Sequence, residues 1–127
     1  MKEVHIFLIL YPRGQGKLKK GHYKYFLCCQ SQTISEEKEI RDTTGRRIVL
    51  ECLVDALKRM RQPSLLTIHT DNKYLLEGYT RLQEWKANGW ARYGKRELKN
   101  ADLWRQAEEL LKPHAVRFKN ECMEIYK

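Results

Sequence analysis

Asp71 stands where a carboxylate can do chemistry: it follows a short apolar run, Leu65 to Thr70, and precedes a helical pattern that begins near Lys73. The carboxyl end of a strand lies on the edge where α/β sheets bind ligands, so Asp71 is the first candidate for a catalytic or metal-binding group. An Asp before a helix is equally a cap for the amides of the first turn, and both readings stand. A different chemistry is spelled further on. Trp85, Trp90 and Tyr93 alternate with Lys86, Arg92, Lys95, Arg96 and Lys99, which sets planar faces for sugars or bases among cations for phosphates. Trp85 and Trp104 are also what a core would use. Cys28, Cys29, Cys52 and Cys122 form no C-x-x-C pair, and His5, His22, His69 and His114 are not at zinc-ligand spacing. Reduced, mostly buried thiols and strand or loop histidines are expected.

These residues sit in a chain of 127 residues, the length of one domain with a core of packed layers. Lys and Arg number 25 against 16 acidic residues, and the net charge of +9 favours a polyanionic partner. The excess is local. Arg13, Lys17, Lys19, Lys20 and Lys24 fall between Pro12 and Tyr25 with no acid among them, and a second basic segment runs from Arg81 to Lys99. No apolar run approaches bilayer length, and Met1-Lys2-Glu3 opens a strand rather than a signal peptide. A cytoplasmic protein with no membrane partner is expected.

The elements that must position the candidates follow from patterning. Val4 to Tyr11 is almost continuously apolar, as for a central strand buried on both faces. A glycine-rich basic connection, Pro12 to Gly21, leads to a strand from Tyr23 to Cys29, and the polar Gln32 to Arg41 suits an antiparallel edge. Thr43-Thr44 precedes a helix reaching Arg61, with Ile48, Val49, Leu53, Val54, Leu57 and Met60 on one stripe, and Pro63 ends it. The strand Leu65 to Thr70 returns parallel to the first, because a helical crossover joins such strands. Short helices from Lys73 to Gly78 and from Arg81 to Ala87, a basic loop from Asn88 to Lys99, a helix from Ala101 to Lys112 and a strand from Ala115 to Phe118 complete the order.

The runs TDNKY, EWKANGW and KNADLW fall inside this order, and their spacing resembles the type I ribonuclease H family, whose middle carries TDS-x-Y, a basic W-K-x-x-G-W protrusion and K-N-x-D-L-W. The resemblance extends from near Val4 to at least Phe118. It implies an α/β ribonuclease H-like fold: a five-stranded mixed sheet of order 3-2-1-4-5, the first three strands antiparallel, with helices on both faces. It also implies hydrolysis of the RNA strand of an RNA/DNA hybrid by two divalent metals, which needs several converging carboxylates.

Carried over position by position, that carboxylate set departs from the family. Ile9 or Leu10 stands at the first Asp and Val49 at the helical Glu, two residues after Arg47. Glu51 lies roughly 200° and Asp55 roughly 240° around the helix from Val49, so neither turns inward as a substitute. Asp71 matches the third carboxylate. The fourth is met by Glu124, or Met123 in the neighbouring register, if NECMEIYK begins the family's last helix with its preceding loop deleted. The resemblance further implies that Thr44, Arg47 and Asn100 grip a phosphate of the DNA strand. A hydroxyl, a guanidinium and an amide near a helix start suit that ligand, although Thr44 and Asn100 are also plausible N-caps and Arg47 a surface charge. Gly45 and Arg46 replace the family's asparagines that meet RNA 2′-hydroxyls.

The expectation is therefore one ribonuclease H-like domain over residues 1–127, shortened at its last helix. Its preferred function is binding nucleic acid, as hybrid or duplex backbone, with a degenerate site and no cofactor. The alternatives are an active ribonuclease H using magnesium or manganese, and a structural subunit packed against a nuclease or polymerase partner.

Overall fold

The protein is described by a computed structural model covering residues 1–92 and 96–121, the side chains of 92, 96 and 97 excepted. Strand β1, Lys2–Tyr11, lies at the centre of the sheet between antiparallel β2, Lys17–Cys29, and parallel β4, Ser64–His69. Its alternation is sharper than its composition. Val4, Ile6 and Leu8 are buried, whereas Phe7 and Ile9 on the opposite face are half-buried, so the expectation of burial on both faces holds fully for one. Strand β3, Gln32–Thr44, is the antiparallel edge. The connection after β1 is shorter than expected because Lys17 and Leu18 already pair with Thr44 and Thr43, so the basic residues 17 to 20 belong to strand.

Helix α1, Gly45–Lys58, starts where Thr44 Oγ1 accepts the Arg47 amide at 3.0 Å, as its cap pattern expects. It buries Ile48, Val49, Leu53 and Leu57 against the face of Val4, Ile6 and Leu8. Strand β4 follows, parallel to β1, and then α2, Lys73–Ala87, runs as one continuous helix where two short ones were expected. Its cap is Asn72, whose Oδ1 accepts the Leu75 amide at 2.9 Å. The capping reading of Asp71 is therefore corrected by one residue. Gly78, in the middle of α2, faces Trp104: a Cβ there would lie 2.2 Å from the indole, so the missing side chain is what lets the helix close on the ring. Two-residue strands β5, Ala91–Arg92, and β6, Arg96–Glu97, pair inside the segment expected to be loop.

Helix α3, Ala101–Leu111, packs Leu103, Trp104, Ala107 and Leu111 inward, and β7, Ala115–Lys119, pairs in parallel with β4. The main sheet order is β3-β2-β1-β4-β7, the expected 3-2-1-4-5 counted over its own strands. The described helices pack on the face of Ile6 and Ile68. Residues 122–127, where a last helix is expected, lie outside the described residues. Among the described residues no helix is long and apolar enough to cross a membrane.

Candidate nucleic-acid interface and the Asp71 corner

The starts of α1 and α3 meet. Arg47, in the first turn of α1, donates from Nη1 to Asn100 Oδ1 at 3.2 Å, and Thr44 caps the same turn. Three residues at the starts of two helices are thus neighbours in space. The same guanidinium is also held by Asp102, through Nη1 to Oδ1 at 3.2 Å and Nη2 to Oδ2 at 2.7 Å. Asp102 raises the Arg47 pKa, chiefly through that hydrogen bond, and its own carboxyl is held below the usual range by the same contact. A phosphate arriving here meets a cation that already has an anion. Asn100 was expected to cap α3, but it adopts a left-handed backbone, φ 61°, and makes no side-chain cap. Its amide instead donates to Tyr74 Oη at 3.3 Å, and Trp104 Nε1 donates to the same oxygen at 3.0 Å.

Beside this junction a cleft of about 680 Å³ opens between the β1–β2 turn and the start of α3. Lys17, Arg46 and Lys99 rim it, Thr44 and Asn100 contribute polar groups, and Tyr74 and Trp85 supply aromatic wall. The turn is fastened to α1. Gly45 N donates to Gly16 O at 2.9 Å, a Cβ at Gly45 would fall 1.9 Å from Gly14 O, and Arg46 holds Gln15 Oε1 through two N–H groups at 3.1 and 3.0 Å. The Arg46 guanidinium also lies 4.9 Å above the Tyr74 ring. Gln15 and Tyr74 were not singled out from sequence. Only the position of Tyr74 inside TDNKY offered a signal.

The basic protrusion is less free than its composition suggests. Trp85 is half-buried with its ring 5.2 Å from Trp104, which is itself core. Lys86 Nζ donates to Glu108 Oε1 at 2.8 Å, and Glu108 is 4% exposed, so this lysine neutralises a buried carboxylate. A lysine expected to face phosphate thus already has an anionic partner within the fold. Trp90 is half-buried with the Arg105 guanidinium 5.8 Å from its ring, and Lys99 is exposed on the cleft. Arg92 and Arg96 pair through their backbones. Their side chains, with Tyr93 and Lys95, lie outside the described residues.

At the sheet edge Asp71 is solvent-accessible, and Arg13 Nη2 donates to its Oδ2. The parallel register of β1 with β4 ends at Phe7↔His69, two residues before Ile9 on one strand and before Asp71 on the other. Val49 is fully buried among the core residues. Glu51 Oε1 lies 3.9 Å from Arg47 Nε and Asp55 accepts the Tyr23 hydroxyl, both on the side of α1 toward β3. Neither turns toward Asp71, as the helical angles required. Glu124 lies outside the described residues. Among the described residues no three His, Cys, Asp or Glu side chains converge as a metal site. Magnesium wants near-octahedral oxygen ligands, and the groups here are hydrocarbon at Ile9 and Val49 and a guanidinium on Asp71, so the described residues do not fit the family's pair of metals.

Two histidines expected to be scattered strand residues form a chain on the other sheet face: His5 Nδ1 lies 2.8 Å from His69 Nε2, and His69 Nδ1 meets Glu121 Oε1. Cys52 is buried, whereas Cys28 and Cys29 are half-buried free thiols, fewer buried than expected.

A five-stranded mixed sheet in this order, crossed by α1 between β3 and β4, is the ribonuclease H-like fold, and a solved structure carries it over nearly the whole chain. The crystal structure of LC9-RNase H1, a type 1 RNase H with the type 2 active-site motif, superposes with a TM-score of 0.77 at 19% identity, covering 97% of this chain and 64% of that one. The chain belongs to the ribonuclease H family: the RNase H family profile matches residues 9–120. A ribonuclease H of Clostridium botulinum strain Hall is 32% identical over 121 residues, 93% of this chain and 81% of that protein. LC11-RNase H1, solved in complex with an RNA/DNA hybrid, matches with a TM-score of 0.64 at 12% identity, over 96% of this chain and 87% of that one.

Proposed function

We propose that this ribonuclease H family member holds the phosphate backbone of an RNA/DNA hybrid or a duplex without cutting it. The observation that carries the reading is the meeting of Thr44, Arg47 and Asn100 beside a cationic, aromatic-walled cleft. A backbone phosphate takes the Arg47 fork in exchange for Asp102, an exposed carboxylate that water can solvate. Lys17, Arg46 and Lys99 supply the surrounding positive field, and Tyr74 and Trp85 supply stacking faces. The hydrocarbon at Ile9 and Val49 supports binding without hydrolysis, because a two-metal displacement needs oxygens at those places.

A second reading, an active metal-dependent ribonuclease H, is favoured by Asp71 and by relatives that are themselves named ribonuclease H. It requires ligands beyond the described residues, Glu124 first among them.

One experiment separates the two. A fluorescent RNA/DNA hybrid is titrated with the protein and then incubated with magnesium or manganese, binding being read by anisotropy and cutting by gel. Binding with no cleavage above a mock preparation is expected. Metal-dependent cutting that disappears in Asp71→Asn would establish the second reading.

A further inference from the structure

Resting on that reading of the site, a second inference concerns what neutralises Asp71. We propose that Arg13 takes the place of the divalent cations at the Asp71 corner, so that the backbone is gripped there by a guanidinium of the chain itself and the grip persists in chelator.

The corner is built for this on both sides. Arg13 Nη2 donates to Asp71 Oδ2, while among the described residues no pair of further His, Cys, Asp or Glu side chains joins that carboxylate, and Ile9 and Val49, matched to the family's first two carboxylates, carry hydrocarbon. The arginine reaches Asp71 from a turn whose position is set by packing. Gly16 O accepts the Gly45 amide, Gln15 is held by Arg46, and the absence of a Cβ at Gly45 lets Gly14 close on the helix start. Asp71 is positioned from its own side, because Thr70 Oγ1 accepts the Asn72 amide at 3.1 Å and Asn72 caps α2. The two side chains are 61% and 36% exposed, as a site for a large polyanion must be.

The chemistry of the exchange is specific. A guanidinium is charged at every working pH, and its planar fork matches phosphate oxygens. Unlike a bound metal, it does not make a potent nucleophile of a coordinated water, so the substitution yields binding without hydrolysis. Asp71 is then a positioning residue that orients Arg13. Lys17, the first residue of β2, four residues on from Arg13 and within about 14 Å by chain length, borders the cleft with Arg46 and Lys99. The turn and the start of β2 thus carry one cation to the Asp71 corner and one to the cleft, for nearby phosphates of a single strand.

The test uses the whole chain and its Arg13→Ala, Asp71→Asn, Arg13→Ala/Asp71→Asn and Arg61→Ala variants, each checked by thermal melt. Affinity for a short RNA/DNA hybrid is measured in EDTA and in magnesium at matched ionic strength. Manganese is titrated into the protein alone and read as broadening of the amide signals of residues 70–72. The wild type is expected to bind hybrid equally in both buffers and to show no broadening. Arg13→Ala should lose about tenfold in affinity, the scale of one charge-assisted contact, against a much smaller loss for Arg61→Ala at the other end of the sheet. It should also gain weak manganese broadening that the double variant lacks. Broadening in the wild type, binding that needs magnesium, or equal losses in Arg13→Ala and Arg61→Ala would each overturn the proposal. If the wild type binds no hybrid, the proposed function fails on its own, and the manganese titration still decides whether Arg13 is the resident cation of Asp71.

Discussion

Arg47 and Asn100 show how much a site depends on single contacts. Arg47 is partly exposed and its ion pair with Asp102 is solvated, so its removal should change stability little. On binding, removing a charge-assisted hydrogen bond is expected to cost about 1.5 to 3 kcal/mol, so Arg47→Ala should weaken hybrid affinity roughly ten- to a hundredfold with its melt near that of the wild type. Asn100 separates backbone from side chain. At φ 61° a residue other than Gly, Asn or Asp is strained, and the Asn100 amide also bridges Arg47 and Tyr74. Asn100→Ala should therefore lower both stability, by roughly 1 kcal/mol, and affinity. Asn100→Gly, which tolerates the backbone, should lower affinity mainly. Paired thermal melts and titrations check this, and equal melts for the two variants would remove the backbone account.

Elements meet through equally particular features. Helix α2 closes on α3 at Gly78, where the Trp104 indole occupies the space of a missing side chain. Alanine is the better helix former by about 1 kcal/mol, yet Gly78→Ala should destabilise the protein by roughly 1 to 3 kcal/mol, because a Cβ cannot share that space and the ring is core. A chemical denaturation curve reads the sign directly. Strand β4 is tied at both ends by histidines. His114 Nδ1 accepts the Ser64 amide at 3.0 Å and must be unprotonated to do so, and His69 is buried between His5 and Glu121. Burial lowers both pKa values, opposed at His69 by Glu121. The unfolded chain takes up protons at these positions from about pH 6.5, before the folded one does. Stability is thus full above that pH and falls as pH drops through the lower folded values. The melting temperature should decline between pH 7 and pH 5, and His114→Asn should flatten part of that decline.

Across the whole molecule the charge excess becomes a binding surface of definite composition. Among the described residues, Lys20 faces Glu39 at 3.3 Å and Lys86 is bound to Glu108, whereas Lys17 and Lys99 border the cleft. Removing one cation from a backbone phosphate should flatten the log-log salt dependence by about 0.9 on B-form DNA. A Lys17→Ala/Lys99→Ala variant should therefore show a shallower slope with an unchanged melt. Lys86→Ala should do the reverse, because it leaves the buried Glu108 to Lys112, at 3.9 Å, as its cation among the described residues. Titrations from low to moderate salt, with melts alongside, distinguish the two; a steep slope in the double variant would make the cleft a bystander.

The main elements and the family were legible in the sequence because their signals are local, and the sheet order followed from the resemblance that those signals carry. An apolar run of β1 length, a Thr before α1, Pro63 after it and the runs TDNKY and KNADLW each lie within a few residues of one another. The tertiary structure decided which charges are already engaged. Arg13 and Asp71 are separated by 58 residues, Arg47 and Asp102 by 55, Lys86 and Glu108 by 22. Such pairs are made by sheet register, by the angle at which α2 and α3 cross over Gly78, and by a turn that fits against α1 only because Gly45 has no side chain. Periodicity carries no record of these, since it describes which face of an element is apolar and not what stands opposite a charge on another element. The same holds for Asn72 taking the cap from Asp71: one residue of register along the chain left the carboxylate for Arg13, and only the folded backbone sets that register.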